Sequence, residues 1–100
     1  MKRILLSFFF IICATISFAY DVEVDGIYYN LVDGNSEVTY REGYSYSGSV
    51  TIPSKIIVSG VEYPVTSIGR SAFYDCSGLT SVTIPNSVTS IEHYAFYGCM

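Results

Sequence analysis

Basic residues are scarce in this chain, with 5 Lys plus Arg against 9 Asp plus Glu and a formal net charge of −4. The electrostatic footprint of a nucleic-acid binder is therefore absent, and so is that of a basic membrane-surface protein. Charge of either sign is thin, at 14% of residues, while half the residues are apolar, so the chain is not a disordered, solvated one. A single histidine leaves only His93 to serve as the base of a nucleophilic triad, and no serine sits in a Gly-x-Ser-x-Gly setting. No glycine-rich loop suited to cradling a phosphate is present. Three cysteines, of which two lie beyond residue 20, cannot close a four-ligand zinc site with one histidine. No catalytic residue, cofactor or metal is expected.

Long apolar runs are equally few, and the one that exists reads as an address. Lys2 and Arg3 precede Ile4 to Ile16, followed by Ser17-Phe18-Ala19 with small residues two apart. That is the order of a signal peptide, and cleavage after Ala19 is expected. A permanent span needs about 20 apolar residues to cross a core of ~30 Å, and this run is shorter. Cys13 lies within the run behind Ile11-Ile12, as one more apolar residue rather than a lipid acceptor. No transmembrane span is expected after signal removal. Without Lys2 and Arg3 the chain keeps 3 basic against 9 acidic residues, net −6, and all ten tyrosines but only two of six phenylalanines.

The dominant feature is an internal repeat. Val65-Thr66-Ser67-Ile68-Gly69-Arg70-Ser71-Ala72-Phe73-Tyr74-Asp75-Cys76 recurs 23 residues later as Val88-Thr89-Ser90-Ile91-Glu92-His93-Tyr94-Ala95-Phe96-Tyr97-Gly98-Cys99, with eight of twelve pairs identical. Between them, Leu79-Thr80-Ser81-Val82-Thr83-Ile84-Pro85 has the L-x-x-L-x-L order of a leucine-rich-repeat strand. Ser49-Val50-Thr51-Ile52-Pro53 is an earlier echo of Ser81 to Pro85. Each unit would form one rung: a short strand, a turn set by Pro85, and a brief helical turn near Ala72-Phe73. Leu79, Val82, Ile84, Ile68, Phe73 and Cys76 are expected to point inward, and Thr80, Ser81 and Thr83 outward along one parallel sheet. Such a face is flat and neutral, which suits contact more than catalysis.

Residues 20–64 read as antiparallel strands. Val22-Glu23-Val24 and Ile27-Tyr28-Tyr29 flank Asp25-Gly26, and Ile56-Ile57-Val58 and Val61-Glu62-Tyr63 flank Ser59-Gly60, both two-residue hairpin signals. Glu37 to Arg41 is a further strand and Tyr44 to Gly48 a loop. A repeat stack exposes core and sheet edge at its end, so this segment is placed to be an N-terminal β cap carrying a degenerate first repeat. The fold expected is mainly β with short helical turns: a signal peptide over 1–19, the cap over 20–64, and about two leucine-rich-repeat solenoid rungs over 65–100.

Ser67-Ile68-Gly69, Ala72-Phe73-Tyr74, Cys76, Gly78 to Pro85 and Val88 to Ile91 together closely resemble the BspA-like, or Treponema pallidum-type, leucine-rich repeats. The resemblance implies an exported or surface-attached bacterial protein that binds host extracellular-matrix or other cell-surface proteins as an adhesin. Relatives of this type stack many units, whereas Met100 directly follows the second Ala-Phe-Tyr-Gly-Cys, so the second unit is expected to be cut short. The alternatives are then a binding scaffold in its own right, or a structural cap or fragment of a longer adhesin. A glycan-acting enzyme is the least favoured reading.

Four features are weighed as sites. Asp21 to Gly26 alternates acidic residues like a calcium loop, but its twelfth position is Val32 and no helix precedes it, so a solvated hairpin is expected. Cys76 and Cys99 hold equivalent repeat positions, about 4.8 Å apart on adjacent rungs, within reach of a disulfide; two buried thiols filling inward slots are the preferred alternative. His93 aligns with Arg70, which marks an exposed position. The tyrosines, among them Tyr74 and Tyr97, either contact a partner or cover half-buried β surface. The candidate binding surface is Thr80, Ser81, Thr83, Tyr74 and Tyr97.

Overall fold

The computed structural model describes residues 20–99, so the signal-peptide reading of residues 1–19 lies outside the described residues. Among the described residues eight strands follow one another: β1 (Val22–Val24), β2 (Ile27–Val32), β3 (Asn35–Thr39), β4 (Gly48–Thr51), β5 (Lys55–Val58), β6 (Val61–Ile68), β7 (Leu79–Thr83) and β8 (Ser90–Ile91). One sheet runs β1-β2-β3-β6-β5 with β8 also on β6, and β4 pairs β7 in a second.

Three strand pairs are two-residue hairpins. Asp25 and Gly26 turn β1 into β2 with φ of 51° and 83°, the left-handed pair that a type I′ turn demands. Ser59-Gly60 makes the same turn between β5 and β6, as the sequence indicates. Asp33-Gly34 makes a third between β2 and β3, with φ of 50° and 84°. It carries the same dipeptide signal but stands outside the hairpins named from sequence. The expected strand Glu37 to Arg41 ends at Thr39; Tyr40 and Arg41 leave the sheet, and the Tyr44 amide donates back to the Arg41 carbonyl at 3.1 Å.

The 23-residue repeat becomes a parallel ladder. Ser67 faces Ser90 and Ile68 faces Ile91 between β6 and β8, and the Phe73 and Phe96 rings stack 5.0 Å apart at 2°. That separation is close to the spacing of adjacent strands, so one repeat in sequence is one strand step in space. The early echo also falls in register, with Ser49, Val50 and Thr51 of β4 opposite Ser81, Val82 and Thr83 of β7.

No helical turn forms near Ala72-Phe73. The segment instead closes by overlapping four-residue turns, the Ala72 amide to Gly69, Tyr74 to Ser71 and Cys76 to Phe73, repeated as Ala95 to Glu92, Tyr97 to Tyr94 and Cys99 to Phe96. Positive φ at Ser71 (61°) and Asp75 (56°) interrupts any right-handed helical run. The amides so freed reach the next unit, with Phe73 donating to Ala95 at 2.7 Å and Asp75 to Tyr97 at 2.8 Å.

A single apolar cluster joins the antiparallel and repeat parts: Tyr29 and Val38 from β2 and β3, Val65 and Ile68 from β6, and Phe73 are all fully buried. Of the six residues expected inward, Ile68, Phe73 and Cys76 are buried, and Leu79 and Val82 are half-buried against the cluster. Ile84 is the exception, at 38% exposed. Its counterpart Ile52 is buried, and the Ile52 amide donates to the Thr83 carbonyl at 2.9 Å.

Candidate functional site

β7 shows the burial its sequence indicates, with the alternation broken at Thr80 and Ser81. Thr80, Ser81 and Thr83 are exposed while Leu79 and Val82 lean on the core. The register shifts between the Gly48–Leu79 and Ser49–Ser81 pairs, so Thr80 is an extra residue on β7, a bulge that increases local twist. Beside it the Ser49 and Ser81 hydroxyls bond at 2.9 Å. The outcome is an uncharged face of small hydroxyl side chains shared by β4 and β7.

Tyr74 and Tyr97 lie elsewhere, in the turns at 70–75 and 93–98. Their rings stack at 5.4 Å and 14°, directly repeating the Phe73–Phe96 stack on the buried side of the same turns. Tyr94 meets Tyr97 edge to face at 5.5 Å, and His93 lies 6.1 Å from Tyr94. Tyr74, Tyr94 and Tyr97 are each about half exposed. The turn thus carries two aromatic columns, one inside and one outside. The outer one is held by ring stacking, so its area is presented with little conformational freedom left to lose.

The remaining tyrosines divide sharply. Tyr28, Tyr29 and Tyr46 belong to the core and offer nothing to a partner. Burial, and secondarily the charge of Asp25, pushes the Tyr29 phenol up to about 12, and burial raises Tyr46 further. Among the described residues, Cys76 and Cys99 are free thiols. Burial also raises the Cys76 thiol, and the half-buried Cys99 Sγ donates to the Phe73 carbonyl at 2.8 Å.

Two of the three carboxylates of the calcium-like segment accept hydrogen bonds within the hairpin itself. Glu23 accepts from the Gly26 amide at 2.7 Å and Asp21 from the Leu31 amide at 2.9 Å. Among the described residues no group of three or more His, Cys, Asp or Glu is placed to hold a metal ion, and no helix is long and apolar enough to cross a membrane.

One feature escapes the sequence reading because it depends on where β3 stops. Beyond Thr39 the chain folds over the first repeat turn, and Tyr40, Arg41, Glu42 and Tyr44 form a cleft of about 330 Å³ against Ser71 and Tyr74, floored by Ala72 and Cys76. Arg41 is fixed there: its Nη1 donates to the Tyr28 hydroxyl at 3.2 Å and its guanidinium lies 5.8 Å from that ring's centre. A hollow of about 340 Å³ abuts it, sharing Tyr40 and Ser71 and adding Asn30, Glu37, Thr39 and Arg70.

These stacked parallel units define a leucine-rich repeat protein, and the sequence profile of the BspA type leucine rich repeat region (6 copies) matches residues 44–100. The chain belongs to the BspA-type leucine-rich repeat family. It is similar to a leucine-rich repeat protein from Bacteroides ovatus ATCC 8483, with 34% identity and a TM-score of 0.73 over 80% of this chain and 21% of that one. A leucine-rich repeat protein from Bacteroides capillosus ATCC 29799 is 37% identical, TM-score 0.67, over 78% and 58% of the two chains. A leucine rich cell surface protein from Faecalibacterium prausnitzii A2-165 is 32% identical, TM-score 0.66, over 78% and 21%. The chain therefore spans between about a fifth and three fifths of the length of these structures. No protein of curated function matches the sequence.

Proposed function

We propose that this is an exported, surface-displayed repeat protein that binds other proteins without catalysing a reaction. Residues 1–19 are its cleaved signal, residues 20–64 an N-terminal β cap, and residues 65–100 leucine-rich-repeat solenoid units that stack along the β6–β8 direction. The observation that carries the binding reading is the exposed Tyr74–Tyr97 column, locked in register 5.4 Å apart by the repeat itself. Tyrosine brings large amphipathic area at small entropic cost, which is why interfaces are rich in it. The hydroxyl face of Thr80, Ser81 and Thr83 adds a second uncharged contact surface. Export is supported by the order of residues 1–19 and by the similarity to the leucine rich cell surface protein from Faecalibacterium prausnitzii.

The partner class is a host extracellular-matrix or other cell-surface protein, bound by surface complementarity. Two units offer less than the ~800 Å² per partner of a standard interface, so affinity is weak per unit and grows with the number of units. Surface plasmon resonance over immobilised fibronectin, laminin and collagen tests this, using the exported chain and a Tyr74→Ala/Tyr97→Ala double variant. Binding to one of the three that the double variant reduces about tenfold supports the reading. Equal binding by both proteins, or none to any surface, overturns it.

A further inference from the structure

The cleft beneath Tyr40 has a chemistry of its own. Tyr40, Tyr44 and Tyr74 are 40%, 43% and 46% exposed, so each is partly open to solvent. Tyr44 is clamped edge to face by Tyr28 at 5.3 Å and Tyr46 at 5.5 Å, and Tyr74 by its stack on Tyr97. Two of the three rings are therefore preorganised before any ligand arrives. Between them stand planar, multidentate polar groups. Arg41 has one N–H committed to Tyr28 and four remaining, and Glu42 adds two acceptor oxygens.

The adjoining hollow repeats this mixture with Asn30, Glu37 and Arg70, and Tyr40 and Ser71 belong to both. Glu37 is oriented by the Ser67 hydroxyl at 3.2 Å. Two arginines and two glutamates leave the trough with no net charge, within a chain that is acidic overall. Neither a polyanion nor a polycation finds a complementary field there. The complement is a neutral ligand, dense in hydroxyls, with flat apolar faces for the tyrosines. Its C–H groups, slightly positive, meet the negative ring faces, and its hydroxyl pairs bridge guanidinium and carboxylate. Two abutting hollows, each within the size range of small-molecule sites, call for at least two such rings in series.

We propose that the trough from Tyr44 and Tyr74 through Tyr40 to Arg70 binds a neutral oligosaccharide, one pyranose on either side of Tyr40. This site shares Tyr74 with the protein-binding column but turns on Tyr40 and Arg41, which that column does not use. Isothermal titration calorimetry of the exported chain with cellotetraose, maltotetraose, mannotetraose and chitotetraose tests it, with a proline-rich decapeptide as the competing class. At least one tetrasaccharide binds with Kd of about 0.1–1 mM, weakened about tenfold by Tyr40→Ala and by Arg41→Ala but not by Ile57→Ala, an exposed residue of β5 outside the trough. Tyr40 and Arg41 are exposed, and thermal melts check that both variants fold. Amide chemical shifts of Ser71 and Asn30 in the unaltered chain supply a readout that needs no variant; they move with sugar. Binding of none of the four sugars at about 10 mM, binding undiminished in both variants, or preferential capture of the decapeptide overturns the proposal. Absence of matrix-protein binding by the unaltered chain overturns the protein-binding reading and leaves this one standing, since the tetrasaccharide titration is read independently of it.

Discussion

The Tyr46 hydroxyl donates to the Thr39 carbonyl at 2.7 Å, and it accepts from the Tyr28 amide at 3.0 Å. Tyr28 and Thr39 are directly opposed in the β2–β3 ladder, so one phenol stands between the last paired residues of two strands. Its ring meanwhile packs 4.8 Å from Phe73 in the first repeat turn. Tyr46 thus fastens the antiparallel part to the repeat part by a polar contact at one end and an apolar one at the other. Tyr46→Phe keeps the ring and strands both backbone groups in a dry site, where each orphan costs about 1–3 kcal/mol. A loss of about 2–4 kcal/mol in urea unfolding is expected. A loss below about 0.5 kcal/mol would mean that water replaces the hydroxyl without cost.

Tyr29 predicts the opposite sign. Its side chain is fully buried and its hydroxyl has no hydrogen-bond partner. Tyr29→Phe therefore removes a desolvated polar group and loses no bond, so stability is unchanged or rises by up to about 1 kcal/mol. The same burial governs the alkaline limit. Because the Tyr29 phenol lies at about 12 in the folded chain against 10.0 otherwise, the folded state holds its proton longer than the unfolded one. Its contribution is complete below pH 10 and is lost as pH rises from 10 to about 12, by up to roughly 3 kcal/mol. Urea midpoints measured from pH 8 to about 12 should fall more steeply in the unaltered chain than in Tyr29→Phe. Parallel curves would sink the assignment.

Gly69 separates the repeat from β3. A Cβ there would stand 2.9 Å from the Glu37 Cδ and 3.0 Å from the Val38 carbonyl oxygen, and the Gly69 amide donates to that same carbonyl at 2.7 Å. The glutamate can swing away; the backbone cannot. Gly69→Ala is expected to cost about 1–3 kcal/mol by thermal or urea unfolding. Adding Glu37→Ala should return only part of that, since the carbonyl contact persists. Full recovery in the double variant would show that the side chain alone sets the limit.

The parts of the fold that sequence reveals are those with a local or periodic cause. Asp25-Gly26 and Ser59-Gly60 announce their turns because few residues accept positive φ, and Asp33-Gly34 was readable by the same rule. The 23-residue spacing gives the β6–β8 register, because a unit that stacks must repeat its hydrogen bonds. Non-local causes leave no such mark. Nothing within Glu37 to Arg41 says that strand pairing ends at Thr39; the reason is a phenol seven residues on. Nothing local separates buried Tyr28, Tyr29 and Tyr46 from exposed Tyr40, Tyr44 and Tyr74, since burial of each depends on which strand lies across it. Alternation told which side Ile84 faces but not whether another unit covers it. The trough was hidden for the same reason, being made where two distant segments meet.

Cys76 and Cys99 supply a test of packing between the two units. Both are free thiols, Cys76 buried and Cys99 half-buried with its Sγ turned to the Phe73 carbonyl. Burial raises the Cys76 thiol above its ordinary value, so little thiolate forms near neutral pH, and the attacking species in alkylation is the thiolate. Iodoacetamide added to the folded, exported chain should therefore modify Cys99 first and Cys76 only at the rate of unfolding. Peptide mass mapping over time separates the two sites. Unfolding in urea before alkylation should abolish the difference, because the protection belongs to the fold and not to the residue. A native mass lower by two hydrogens, restored by a reductant, would instead mean that the units are cross-linked, and the free-thiol packing would have to be abandoned.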